Sequence, residues 1–318
     1  MLKRFLSWIL RILSSVGLFI LMTGLNRAAA AASPTSAAPA ERIFGVTVDD
    51  SWYGEIEPDA ITDALRSMPV KPTVRIVMAD DISMDEYREL FAAVSAVAAV
   101  MAEPVDSYYM RGYPDAESYV ERFRAAYEIL APYVDIWEIG NEINGVAWIR
   151  QDPELIIAKT LAANDYIKSR GGKTALTLYY ADPADQDLFA WLARYLPARL
   201  SGNVDYAFIS YYEDDNNGCL PDWEQVFRSL EPEFPDAAIG IGECGNTAQD
   251  ATVESKIAMA KAYYGMERFS DRFAGGFFWW SWVQDCVPHQ ENPVYTAINA
   301  FIEQSLVSET TEKQQERK

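Results

Sequence analysis

The chain is poor in the residues that build cross-linked or metal-bound proteins. Its 318 residues hold three cysteines (Cys219, Cys244 and Cys286) and one histidine, His289. Three cysteines cannot make a disulfide scaffold, and none stands in a zinc-type CxxC pair. With a single histidine there is no His/Cys ligand set, so neither a metal nor another cofactor is expected. Positive charge is scarce as well: 27 Lys and Arg face 47 Asp and Glu, a net charge of −20. Such a chain repels nucleic acid and anionic lipid surfaces and favours neutral or cationic partners. No GxGxxG follows the first strand-like run, which argues against a nucleotide-binding fold. Beyond residue 32, no apolar stretch approaches the roughly 20 residues that a membrane-spanning helix requires. No internal repeat or central linker divides the chain.

One long apolar run is present, at the start. Lys3, Arg4 and Arg11 precede apolar residues 12–25, and five alanines follow at 28–32. A positive start, a short apolar core and a small-residue exit are the parts of a secretory signal peptide. Cleavage is expected, with retention as an anchor left open. The reading is therefore a signal peptide over 1–32, a Pro/Ser/Ala linker over 33–41, one domain over 42–305 and a polar tail over 306–318. Residues 1–32 hold four of the basic residues and none of the acidic ones, so the exported form carries 23 basic against 47 acidic residues, a balance of −24. The expected product is periplasmic or extracellular and monomeric, with no stable membrane association after cleavage.

Within the domain, apolar or β-branched runs alternate with stretches of helical period. Strands are expected at 43–48, 73–78, 97–101, 136–140, 175–180, 206–211, 238–243 and 276–282. Amphipathic helices follow them, near 58–68, 84–93, 116–130, 153–169, 184–200, 222–230, 253–269 and 292–304. Pro153 and Pro293, each after Asp or Asn, mark helix starts. Eight alternations in about 265 residues predict an α/β fold, a single (β/α)8 TIM barrel, rather than an open doubly wound sheet.

In such barrels the chemistry sits where strands end, and that is where the unusual residues fall. Asp49, Asp50 and Trp52 follow the first strand, Asn141, Glu142 and Asn144 the fourth, Tyr180 and Asp182 the fifth. Tyr211 and Tyr212 end the sixth, Glu243 the seventh, and Trp280, Trp282 and Asp285 close the eighth. Two carboxylates held at rigid strand tips are what glycosidic cleavage needs: one protonates the departing oxygen, and the other attacks the sugar carbon or activates water. An aromatic-lined site facing a second carboxylate would also raise the acid's pKa. Trp52 is a candidate sugar-stacking platform. Cys219 and Cys286 lie in loops on this same face and could pair in an oxidising compartment, with free thiols the alternative.

Trp137-Glu138-Ile139-Gly140-Asn141-Glu142 ends strand four and Glu243 ends strand seven. The pattern resembles clan A glycoside hydrolases, the 4/7 superfamily, several of whose families carry W-E-x-x-N-E. The resemblance covers roughly 42–304. It implies a retaining glycosidase acting on β-linked oligo- or polysaccharide, with Glu142 as acid/base and Glu243 as nucleophile. It further implies that Asn141 binds the sugar 2-hydroxyl and that Arg75 sits beside the nucleophile. Tyr212 would donate a hydrogen bond to that nucleophile, and Trp280 would floor the subsite of the reacting sugar. Ser210 stands where many relatives have His, and Cys244 follows the nucleophile where an aromatic or aliphatic residue is usual.

Other readings stay open at this point. Arg75 could instead neutralise Glu138, which strand alternation also points into the barrel. Tyr212 could be loop packing. Trp280 and Trp282 would share a facing if both lay on the strand, leaving Trp279 against the helices. A transglycosylase would use the same residues, and a non-catalytic glycan-binding barrel of an envelope polysaccharide system would be expected to lack one of them.

Overall fold

The computed structural model describes the backbone of residues 39–315 and the side chains of residues 39–308. The expected signal peptide and residues 33–38 of the expected linker lie outside the described residues. Eight strands form: β1 (Ile43–Val48), β2 (Thr73–Val77), β3 (Ala99–Glu103), β4 (Ile136–Gly140), β5 (Lys173–Tyr179), β6 (Tyr206–Tyr211), β7 (Ala238–Cys244) and β8 (Phe273–Trp279). Each pairs in parallel with the next, and β8 pairs with β1 to close the barrel. Their near-continuous apolar character follows from that topology, because helices cover one face while the barrel interior covers the other.

The helices supply the second layer. Helix Met84–Ser95 starts at a reciprocal cap between Ser83 and Glu86, and Ala116–Leu130 starts at one between Asp115 and Ser118. Helices Pro153–Ser169 and Pro293–Gln315 begin on the prolines that marked them in the sequence. Leu90, Phe91, Tyr119, Phe123, Trp137 and Ile167 pack in the large core between barrel and helices. Among the described residues, no helix is long and apolar enough to cross a membrane.

Inside the barrel, the period-two alternation of strands sorts residues by height. A lower plug is apolar: Ile43, Met101, Ile136, Ala175, Phe208 and Phe278 pack together. One step higher the barrel interior turns polar, with Arg75, Glu103, Glu138, Thr177 and Ser210, all buried. Two glycines make room for the plug's aromatics: a Cβ on Gly45 would stand 2.5 Å from the Phe278 ring, and one on Gly242 would stand 2.5 Å from Cβ of Phe208.

Several sequence-based boundaries need correction. Strand β3 begins and ends two residues later than expected, which makes Glu103 rather than Met101 its last residue. The alanine-rich stretch before it carries helical and strand signals at once, and the preceding helix extends through Ser95. Strand β8 lies at Phe273–Trp279 rather than 276–282, and Trp282 belongs to a short helix, Trp282–Cys286. The aromatic run 277–282 reads as extended chain throughout, but the strand stops at Trp279, and one bond further on the Trp280–Ser281 peptide is cis. The last helix runs on to Gln315, past the point where the polar tail was expected to begin.

Candidate active site

The two glutamates are aimed by irregularities in their strands. Between Glu138 and Gly140 the pairing of β4 with β5 shifts register, as does β7 against β6, where Ser210 lies opposite Glu243 although Ile209 lies opposite Ile241. One extra residue on a strand re-aims the side chains beyond it. Gly242 is the extra residue on β7, so Glu243 joins the inward file at the level of Ser210 instead of facing the helices. Glu142 sits at φ 44°, a left-handed backbone that a side chain-bearing residue rarely adopts. Its carbonyl accepts the Gly145 N–H at 2.7 Å, which closes the turn.

The surroundings of the two carboxylates differ in sign. Oε2 of Glu243 lies 2.9 Å from Nη1 of Arg75, and Tyr212 Oη donates to Oε1 at 2.5 Å. Asn141 Nδ2 also donates to Glu243, at 3.4 Å. Burial, then the Glu243 charge, holds the Tyr212 phenol well above its ordinary pKa, so it stays a donor. No cation pairs with Glu142 among the described residues. Its oxygens accept only hydroxyls, from Ser210 at 2.6 Å and from Ser107 at 3.3 Å. Burial first, and the charge of Glu243 second, raise its carboxyl well above the ordinary range, against the opposing effect of the Ser210 hydrogen bond. The indole of Trp148 donates to Ser107 Oγ at 3.0 Å and fixes that hydroxyl beside Glu142.

Arg75 takes both roles left open by the sequence. It is fully buried and lies 2.7 Å from Glu138, 2.7 Å from Glu103 and 2.9 Å from Glu243. Burial raises the Glu103 carboxyl well above its ordinary range, against the opposing charge of Arg75. Thr177 Oγ1 donates to Glu138 at 2.5 Å and completes the layer beneath the site.

Above this layer opens a cleft of about 710 Å³ that Glu142, Glu243, Tyr212 and Trp280 line together. Asn141 lies 1% exposed at its base, its Oδ1 accepting the Ser107 N–H at 3.3 Å. Trp52 does not join them. The short turn Asp50–Trp52 folds its ring into the core, 6.3 Å from the Tyr87 ring, where it is 6% exposed. Trp282 is likewise fully buried, and Trp279 is held in the core by an indole hydrogen bond to Asp285 at 2.9 Å. His289 packs on Tyr295 and does not line the cleft. All three cysteines are free, Cys244 and Cys286 buried and Cys219 half-buried, so the Cys219–Cys286 bridge does not form.

Sequence reasoning missed Asp106, Ser107, Tyr108, Trp148 and Tyr179. The first three begin three residues past the end of β3, and placing that strand two residues later would have brought them near its tip. Trp148 was legible only as an aromatic six residues after Glu142. Tyr179 faces the cleft where Tyr180 was expected at the tip, because Ala175 and Thr177 set the inward parity of β5 and Tyr180 packs in the outer core. Among the described residues, no group of three or more His, Cys, Asp or Glu is arranged to hold a metal ion.

No protein-family model and no curated protein matches the chain. Solved structures match its fold. Saccharomyces cerevisiae Gas2p in complex with laminaritriose and laminaritetraose aligns with a TM-score of 0.52 at 17% identity, over 83% of this chain and 65% of that one. A Thermotoga maritima family 1 glycoside hydrolase complexed with a cyclophellitol analogue transition-state mimic aligns at 0.53 and 12% identity, over 77% of this chain and 89% of its own. The β-glucosidase from Thermotoga maritima in complex with galacto-hydroximolactam gives 0.54 and 13%, with the same coverages. This chain thus spans less than two thirds of the Gas2p structure. At these identities the likeness is one of fold.

Proposed function

We propose that this chain is a retaining glycoside hydrolase that cleaves β-linked oligo- or polysaccharide by double displacement, with Glu142 as acid/base and Glu243 as nucleophile. One observation carries the reading: two carboxyl groups share a cleft, one bound by Arg75 and Tyr212, the other without a cation and accepting only serine hydroxyls, its pKa raised by burial and by the neighbouring Glu243. Pairs of carboxyls whose surroundings push their pKa values apart divide acid and base work in this way. In the first step Glu142 gives its proton to the glycosidic oxygen while Glu243 attacks the anomeric carbon, and the aglycone leaves. The covalent glycosyl-enzyme removes the charge on Glu243, so Glu142 ionises more easily and takes a proton from the water that frees the sugar. Asn141 is suited to the sugar 2-hydroxyl, and Trp280 to the ring face at the cleft floor. That the structural neighbours are named as glycoside hydrolases, some with laminari-oligosaccharides or inhibitors bound, supports the reading. Residues 1–32 would export the domain to the periplasm or beyond, where it would act as a monomer.

The division of labour is tested with two variants on an aryl β-glycoside that the wild type cleaves. Glu142→Ala should accumulate glycosyl-enzyme, and azide should restore turnover with a β-glycosyl azide as product. Glu243→Ala, if azide revives it, should yield the α-azide. Products of the opposite configurations would exchange the two roles, and unchanged hydrolysis by either variant would remove it from the mechanism.

A further inference from the structure

The charge of the cleft goes beyond what bond cleavage requires. Besides Glu142 and Glu243, three more acidic side chains line it, Asp50, Asp106 and Asp215, and no Lys, Arg or His does. None of the three aspartates enters an ion pair among the described residues. Asp106 accepts the Tyr108 N–H at 2.7 Å, a contact within its own loop. Arg75 offers no compensation, because it is fully buried beneath the cleft and shared among Glu103, Glu138 and Glu243. A second, independent feature marks the same place as a ligand surface. Tyr108 is 64% exposed and stacks on Trp148 at 6.4 Å with an interplanar angle of 25°, so an aromatic pair stands open at the rim.

We infer that the cleft takes a β-linked glycan bearing free amino groups, such as a glucosamine or galactosamine polymer, an inference that rests on the glycosidase reading of the same site. Hydroxyls of a neutral sugar can hydrogen-bond to carboxylates but leave their mutual repulsion in place. An ammonium at the sugar's C2 removes it and also suits the faces of Tyr108, Trp148, Tyr179 and Trp280, where cations are attracted to aromatic quadrupoles. Uronic or sulfated glycans are repelled. Burial, and after it the nearby charge of Glu243, pushes Asp106 up to about 6 against the Tyr108 N–H.

The test uses Glu243→Gln for binding and the wild type for turnover. The probes are β-linked glucosamine oligomers, their N-acetylated counterparts of equal length, and neutral β-glucan oligomers. Glu243→Gln should bind the amino oligomers at least tenfold more tightly than the other two. That advantage should shrink between about 0.1 M and 1 M salt, as the Debye length falls from about 10 Å to about 3 Å. Asp215→Asn should weaken binding of the amino oligomer about two- to fivefold more than that of the neutral one, the range for an exposed charge pair. Equal or tighter binding of neutral or N-acetylated oligomers, without salt dependence, overturns the inference and leaves the glycosidase reading standing. Amino oligomers that bind but are never cleaved by the wild type support the ligand class and remove the hydrolase. Binding of no glycan at all overturns both.

Discussion

Glu142 and Glu243 are the same side chain, and their different tasks come from what touches them. Of the two, Arg75 and Tyr212 touch Glu243 alone, while two serine hydroxyls touch Glu142 alone. Ser210 donates to Glu142 at 2.6 Å and so favours its ionised form. Ser210→Ala should therefore raise the acid's pKa and carry the alkaline limb of the kcat/KM profile to higher pH, by up to about one unit, each unit being about 1.4 kcal/mol. A limb that stays put or moves to lower pH would show that Ser210 does not tune the acid. Stability depends on the same shift. The folded-state pKa of Glu142 lies above its unfolded value, so the native protein keeps a proton that the unfolded chain releases. That contribution is complete below the unfolded pKa and is lost as pH rises through the folded one. Glu142→Gln cannot ionise, so its Tm advantage over the wild type should grow by a few degrees from about pH 5 to about pH 9. A constant difference would contradict the raised pKa. Of these contacts, those of Arg75 and Tyr212 with Glu243 were implied by the resemblance; those of Ser107 and Ser210 with Glu142 were not legible, because partners 35 and 68 residues away are brought together by closure of the barrel.

Strands and their irregularities decide which way those residues face. Had β7 kept strict alternation after inward-facing Gly242, Glu243 would point toward the helices; the register shift opposite Ser210 turns it inward as well. The glycine is also required by space, since its Cβ position lies 2.5 Å from Cβ of Phe208, an atom that cannot swing away. Gly242→Ala should cost about 1–3 kcal/mol, the usual penalty of overpacking, read as a lower denaturant midpoint with an unchanged m-value. A midpoint equal to that of the wild type would mean that the bulge adjusts freely. Elements with caps or prolines at their ends were legible in the sequence, as at Pro153 and Pro293. Strands β3 and β8 were not, because alanine and aromatic runs satisfy both periods and their ends depend on pairing with neighbours.

For the molecule as a whole, the cysteines offer a direct check on folding without cross-links. Burial pushes the thiols of Cys244 and Cys286 well above their ordinary pKa, whereas Cys219 is half-buried. A thiol reagent should label at most Cys219 in the native protein and all three cysteines after unfolding without reductant. Only one labelled thiol in the unfolded, unreduced chain would demonstrate a bridge. Sequence alone determined the number of strand–helix units, the placing of Glu142 and Glu243 at the ends of strands four and seven, and the acidity of the chain. All of these are written in composition and in local periodicity. Only the closed barrel decided that Arg75 stands among three carboxyls, that Trp52 and Trp282 sink into the core, and that Asp106 and Tyr108 belong to the site. Those outcomes turn on a one-residue bulge, a two-residue shift of a strand and charges converging from distant segments, and chain-local patterns carry no information about any of the three.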